Sequence, residues 1–214
     1  VPVGSTVWKT DLLSGVINPD IAAELGQTLA SWHNFGVGDQ KARSQFLEDT
    51  LFEQLRINPF YRAVAKLNPD LKIISKLITE NEIIKTTLVH GDFSPKNIMI
   101  TNDFHPIVLD FEVEHTGNPV FDLAFVMAHL VCKYIKLGNP DIAQTAFNFI
   151  DAYRSESRLP IADSLAHHIS LVALARVEGV SPSSYLDEKD KLNIVNLTKG
   201  LLRKDVVSVA ELFA

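Results

Sequence analysis

The stretch Thr86-Thr87-Leu88-Val89-His90-Gly91-Asp92-Phe93-Ser94-Pro95-Lys96-Asn97-Ile98-Met99-Ile100-Thr101-Asn102-Asp103-Phe104-His105-Pro106-Ile107-Val108-Leu109-Asp110 decides how this chain is read. Thr86–Val89 is short, apolar and β-branched, the pattern of a strand. Asn97–Thr101 and Pro106–Asp110 read as two further strands, and Asn102–His105 between them is a polar turn of hairpin length. With that loop, Thr101 faces Pro106, and counting outward sets Asn97 opposite Asp110. Opposed residues in an antiparallel pair lie about 4.5–5.5 Å apart. Pro106 has no N–H, so its pair is non-hydrogen-bonded or lies at the strand start. A carboxamide oxygen and a carboxylate at the open end of one hairpin suit Mg²⁺, which takes one or two protein carboxylates with phosphate oxygens and water. Asp92 stands in the loop that enters the hairpin, about a loop's width from that pair. A carboxylate so placed, and not bound to the metal, is positioned to take a proton from an attacking hydroxyl.

Outside this β-island the pattern is helical. Asn18-Pro19-Asp20 is a start signal, followed by Ile21, Leu25, Leu29 and Trp32 at helical spacing. Gly36 and Gly38 are expected to end that helix, and a second is expected from Lys41 to Leu55. Asn58-Pro59 and Asn68-Pro69 punctuate a stretch that stays helical to about Asn81. After Asn118-Pro119, helices are expected near 120–136, 140–156, 162–178 and 188–203. The fold class is therefore α+β, mainly α-helical, in four consecutive parts: a hinge-like leading segment (1–17), helices (18–85), the loop and hairpin (86–118) and a helical subdomain (119–214).

Composition bounds the function. The 214 residues are 46% hydrophobic and 21% charged, which is a globular balance and argues against disorder. The net charge of −6 excludes general nucleic-acid binding as the expectation. The single cysteine, Cys132, excludes a disulfide scaffold, suits a reducing cytoplasm, and reads as a small core residue. No run of about 18 apolar residues is present, so no membrane-spanning helix is expected. Val1–Thr6 lacks the basic start and apolar run of a signal peptide.

The residues then resemble a family. His90-x-Asp92-x-x-x-x-Asn97 followed by Asp110-Phe111-Glu112 resembles the catalytic core of protein-kinase-like phosphotransferases. Gly91, Ser94 and Glu112 stand where protein kinases carry Arg, Lys and Gly, and no Ala-Pro-Glu follows. Leu88–Phe93, Val108–Glu112 and Gly117-Asn118-Pro119-Val120-Phe121-Asp122-Leu123-Ala124 are similar instead to the aminoglycoside phosphotransferase and choline kinase superfamily. The resemblance implies a C-terminal catalytic lobe using ATP with Mg²⁺ to phosphorylate a small-molecule hydroxyl. It implies that Asp92 is the catalytic base, that Asn97 and Asp110 hold Mg²⁺, and that His90 braces the loop. It further implies that Asp122 hydrogen-bonds the loop's backbone from a helix start, that Met99 and Leu109 lie against the nucleotide, and that Glu112 and Glu114 face metal or substrate. The family's N-terminal lobe supplies a Gly-rich loop and a strand Lys. Gly36-Val37-Gly38 is not such a loop, so the expectation is a chain lacking that lobe, with apolar surface around Val1–Leu13 and the hairpin that drives self-association.

Other readings stand beside this one. Taken singly, Asp92, Asn97 and Asp110 are ordinary turn residues. A catalytically silent binding or scaffold module of the same fold is the alternative function. A two-metal phosphohydrolase needs more carboxylates or histidines than the hairpin offers. His105 and His115 read as loop residues. His167-His168 reads as one buried and one exposed histidine rather than a metal pair. Lys96 is either a phosphate contact or a solvated lysine. Glu112, Glu114, Asp187 and Glu188 are the acidic residues available to a cationic substrate, although Asp187 and Glu188 read as solvated surface. The segment Arg176–Pro182 either borders the acceptor pocket or only turns the chain.

Overall fold

The computed structural model describes residues 2–180 and 182–214. The fold is α+β and mainly helical, with two small antiparallel sheets. Strand β1 (Thr6–Val7) leads into α1 (Trp8–Leu13), whose Trp8 and Leu12 are buried rather than left on an apolar surface. Helix α2 (Pro19–Gly38) starts where the sequence indicates: Asn18 Oδ1 accepts the Asp20 N–H at 3.0 Å, and Pro19 needs no partner in the first turn. Helix α8 (Pro140–Glu156) repeats the device, with Asn139 Oδ1 accepting the Asp141 N–H at 2.9 Å. The two helices pack closely. A Cβ on Gly26 would lie 2.3 Å from the Phe149 carbonyl oxygen, so the absence of a side chain there sets their approach.

Gly36 does not end α2. The helix runs on to Gly38, because Gly36 faces the next sheet: a Cβ there would lie 2.3 Å from Thr87 Oγ1 and 2.4 Å from the Leu88 nitrogen. The expected Lys41–Leu55 helix is broken. Helix α3 (Gln40–Gln45) is capped by Asp39, and Thr116 then ties down the chain, its N–H donating to the Phe46 carbonyl at 2.6 Å and its hydroxyl to the Arg43 carbonyl at 2.7 Å. Helix α4 (Thr50–Phe52) continues as a π-helical stretch, Glu53–Arg62, and then α5 (Ala63–Leu67). Pro59 sits inside this run rather than punctuating it. The wider winding eases the clash between the ring and the preceding turn, and the missing N–H removes one bond from the ladder. Helix α6 (Ile73–Ile83) completes the first half.

The hairpin is β3 (Ile98–Ile100) and β4 (Pro106–Val108), joined by five residues rather than four. Its register is one residue away from the expected one. Ile100 opposes Pro106 and Ile98 opposes Val108; the Leu109 N–H donates to the Asn97 carbonyl at 2.9 Å, so Leu109, not Asp110, stands opposite Asn97. The turn explains the slip. Thr101 takes part in it, its hydroxyl donating to Asp103 and to the His105 carbonyl, which removes it from the ladder. β1 adds to the other edge of β3, pairing Val7 with Met99. β2 (Thr87–Val89) pairs with β5 (His115–Gly117). His115 is thus a buried strand residue, not a loop residue.

Helix α7 (Val120–Leu137) and helix α9 (Leu165–Glu178) are buried on nearly every side and form the centre of the core; α10 (Glu188–Leu202) covers them, opening on an Asp187/Asp190 capping box. The central place of α9 is why both His167 and His168 are buried, contrary to the expectation of one exposed. His167 Nε2 bonds the Lys204 carbonyl at 2.9 Å, and His168 lies between the Tyr61 hydroxyl at 2.9 Å and Glu80 at 3.1 Å. Among the described residues no helix is long and apolar enough to cross a membrane.

Candidate active site

β2 delivers the chain to a tight turn. Gly91 takes φ +75°, and a Cβ there would lie 2.8 Å from the Val113 carbonyl, so glycine is required twice over. The turn is fixed from below by Asp122, in the first turn of α7. Its Oδ2 accepts the His90 N–H at 2.8 Å and its Oδ1 the Gly91 N–H at 2.9 Å. His33 of α2 adds a third donor at 3.2 Å, and its other ring nitrogen meets the Tyr153 hydroxyl at 2.8 Å. Burial pushes the Asp122 carboxyl up; the His33 hydrogen bond and charge, with the His90 contacts, outweigh it and hold the group below its ordinary range. The neighbouring Glu114 carboxyl is raised, by burial first and then by the Asp122 charge.

His90 is buried and bridges two loops. The Asp92 N–H donates to its Nδ1 at 3.1 Å, so Nε2 carries the proton and donates to the Leu109 carbonyl at 3.1 Å. One imidazole therefore links the Asp92 loop to the far strand of the hairpin. Phe111 lies 4.8 Å from the His90 ring and stacks on Trp32 at 5.1 Å.

Asp92 itself is 1% exposed, and its two oxygens are treated differently. Oδ2 receives Arg56 Nη2 at 2.8 Å, Lys96 Nζ at 2.8 Å and Asn97 Nδ2 at 2.7 Å. Oδ1 is buried and has no partner. Three donors on one oxygen lock the rotamer and leave the other oxygen bare. The carboxylate lines a cavity of about 460 Å³, walled by the π-helical stretch, α7, the end of α9 and residues 182–185. Such a volume is in the range of small-molecule sites.

The sequence matches the phosphotransferase enzyme family, APH, over residues 4–152. The chain belongs to that family. No curated protein matches it. The APH match takes in the whole Asp92 loop, the hairpin and α7, and stops within α8, so the cavity wall from α9 and residues 182–185 lies beyond it.

The Asn97 carboxamide nitrogen donates to the Asp92 carbonyl as well as to Oδ2, so its oxygen is the atom left for a ligand. Asp110 is exposed, hydrogen-bonds to no other side chain among the described residues, and takes φ +70°, a conformation that costs a non-glycine residue of order 1 kcal/mol or more. With Leu109 opposite Asn97, Asp110 is the next residue along, at the open end of the hairpin. Both donors are oxygen, the set that suits Mg²⁺ with phosphate oxygens completing its shell. Among the described residues no three His, Cys, Asp or Glu side chains gather as a metal cage. Met99 is half-buried, paired with Ile107 and Val7 on the face opposite Ile98 and Ile100; Leu109 is half-buried as well. Glu112 is exposed, and neither it nor Glu114 lines the cavity. Asp187 and Glu188 serve α10, pairing with Lys136 and Lys191. Of the segment 176–182, Arg176, Val180 and Pro182 border the cavity; Ser181 lies outside the described residues.

Arg56, His33 and Tyr153 were not singled out from sequence. Arg56 and His33 carried no local signal, because the site residues they hold are 35 or more residues away in the chain. Lys133 did carry one: it is a charge inside the apolar run Phe125–Ile135.

Proposed function

We propose that the chain transfers the γ-phosphoryl group of ATP to the hydroxyl of a small molecule, acting as a protein-kinase-like catalytic lobe. The observation that carries this reading is the Asp92 carboxylate on the wall of a cavity: one oxygen is fixed by Arg56, Lys96 and Asn97, and the other is buried with no partner among the described residues. An acceptor hydroxyl at that bare oxygen donates its proton to the carboxylate as the hydroxyl oxygen bonds to phosphorus. The bond from phosphorus to the bridging oxygen of the leaving diphosphate breaks, and ADP departs. Asp92 orients the nucleophile and receives the proton; Asp122 and His90 hold the loop so that neither the aim nor the distance drifts.

Asn97 and Asp110 are the residues that would hold Mg²⁺, and that ion, when bound, would neutralise charge on the phosphates. The outer face carrying Met99, Ile107 and Leu109 is the surface we assign to the nucleotide base. We place the reaction in the cytoplasm, where ATP is supplied and the lone Cys132 stays reduced.

The test is ADP release from MgATP in the presence of small alcohols. Asp92→Asn is expected to lower kcat at least about 100-fold with MgATP affinity changed by less than about threefold. A kcat within threefold of the parent rejects Asp92 as the base. For the metal, calorimetric titration with ATP should show binding that requires Mg²⁺ and that Asp110→Ala removes.

A further inference from the structure

The cavity beside Asp92 is unusually cationic. Five of its lining residues are Lys9, Arg56, Lys96, Lys133 and Arg176, and among the described lining residues Asp92 is the one carboxylate. Arg56 and Lys96 are committed to it. The other three pair with no carboxylate among the described residues. Lys133 is fully buried, and its Nζ reaches only the His129 carbonyl at 3.3 Å, with the Tyr185 ring 5.5 Å away. Arg176 donates from Nε to Ser183 Oγ at 3.0 Å and lies over Phe60. Lys9 also approaches the Tyr185 ring, at 6.0 Å. The Tyr185 hydroxyl is itself buried, with Ser183 as its polar neighbour.

A buried ammonium without a counter-charge is costly unless a ligand supplies one. The strain shows in the neighbours. Burial pushes Lys133 down to about 7, with Lys9 and Arg176 adding to it. His129, also in the wall, is pushed well down by burial and then by Lys133, Arg176, Lys96 and Lys9, four cations converging on one ring. The acidic residues available to a cationic substrate are elsewhere: Glu112 and Glu114 do not line the cavity, and Asp187 is paired with Lys136. The cations also reach beyond the residues assigned to the metal and its phosphates. Lys133 and Arg176 stand on the wall formed by α7 and α9, and neither Asn97 nor Asp110 lines this cavity.

We infer that the acceptor is an alcohol bearing an oxyanion group, phosphate or carboxylate, which Lys133, Arg176 and Lys9 hold while its hydroxyl meets Asp92. This names the substrate class of the proposed phosphotransfer and rests on that reading. Tyr185 donates the remaining hydrogen bond to the anion. The anion is bound and does not react; the hydroxyl alone takes the phosphoryl group.

The experiment is calorimetric titration of the 214-residue chain, without nucleotide, with sn-glycerol 3-phosphate and D-glycerate as anionic probes and with glycerol and ethanolamine as neutral and cationic ones. One of the two anions is expected to bind, and its identity separates phosphate from carboxylate recognition. Lys133→Met and Arg176→Gln, each checked for folding by circular dichroism, are each expected to weaken that binding at least about tenfold. Three results overturn the inference: no anion binding up to about 10 mM, anion binding unchanged in both variants, or glycerol or ethanolamine binding as tightly as the anions. ADP release is read separately. Lys133-dependent anion binding with no ADP release from MgATP rejects phosphotransfer and leaves the anion site standing; ADP release with ethanolamine alone keeps phosphotransfer and rejects the anionic acceptor.

Discussion

Arg56 Nη2 lies 2.8 Å from Asp92 Oδ2, and both side chains are almost wholly buried. Arg56 also donates from Nε to the Gly91 carbonyl at 2.8 Å, so one guanidinium holds both the backbone and the side chain of the loop. Breaking a buried pair by removing one partner leaves a charge uncompensated and costs about 3–5 kcal/mol. Lys96 and Asn97 still hold Oδ2 in such a variant, so Arg56→Met should sit at the lower end of that range in urea unfolding. Its kcat should fall about 10- to 100-fold through misaim of the carboxylate, with MgATP affinity nearly unchanged. Lys96 is half exposed, and Lys96→Ala should change stability by less than about 1 kcal/mol. Equal effects of the two variants would refute the assigned hierarchy.

Asp122 gathers three donors in a fully buried place, and Asp122→Ala strands all of them: the N–H groups of His90 and Gly91 and the His33 ring. A loss of about 3–5 kcal/mol is expected at pH 7. The pH dependence has a definite sign. The folded carboxyl lies below its ordinary value, so its contribution is fully present above the unfolded value of about 4 and is lost as pH falls through the folded one. Parent and variant should therefore differ most near neutrality and converge in strong acid. A gap in stability that widens on acidification would show that the carboxylate is not what holds the turn.

How much of this was legible in sequence follows from the range of the interactions. Asn18 and Asn139 cap through bonds two residues long, and both helix starts were read correctly. The Asp92–Asn97 bond spans five residues, and the sequence indicated the nearness of the two residues but not the bond itself. The hairpin register slipped by one because Thr101 closes the turn with its own side chain, a choice that competes with the ladder and leaves no trace in the hydrophobic pattern. The break after Gln45 was invisible because its cause is Thr116, far along the chain. Arg56, His33 and Tyr153 were missed for the same reason: each acts across the fold. The cationic wall was half legible, since Lys133 interrupts an apolar helix, but its convergence with Lys9 and Arg176 needed the packing of α1, α7 and α9.

Gly36 marks where α2 touches the strand that delivers His90. A Cβ would lie 2.3 Å from Thr87 Oγ1 and 2.4 Å from the Leu88 nitrogen, and the Thr87 hydroxyl already donates to the His33 carbonyl at 2.6 Å. Backbone atoms cannot step aside as a flexible side chain does, so Gly36→Ala should destabilise by about 1–3 kcal/mol despite alanine's better helix propensity. The wedge also pushes on His33, which supports Asp122. A drop in kcat is therefore expected alongside the lower Tm. A Gly36→Ala variant as stable as the parent would show that α2 and β2 can separate without cost.

Lys133 offers the sharpest contrast between stability and function. Burial, helped by Lys9 and Arg176, brings its folded value down to about 7, against about 10.4 in the unfolded chain. Between those values the unfolded state binds the extra proton, so stability rises with pH. The penalty is full below about pH 7 and is relieved as pH climbs through the unfolded value. Tyr185 and the Cys132 thiol, which burial raises, also face this ammonium, and neither is ionised over most of the window. Lys133→Met removes the penalty while keeping the packing. It should therefore stabilise the protein at pH 7, by on the order of 2 kcal/mol, with the gain shrinking toward pH 10. A gain in stability at pH 7 together with weaker anion binding would mark Lys133 as a ligand-holding residue. Denaturant midpoints for parent and Lys133→Met at pH 7 and pH 10 decide it: a variant less stable than the parent at pH 7 would mean that Lys133 supports the core rather than the cavity.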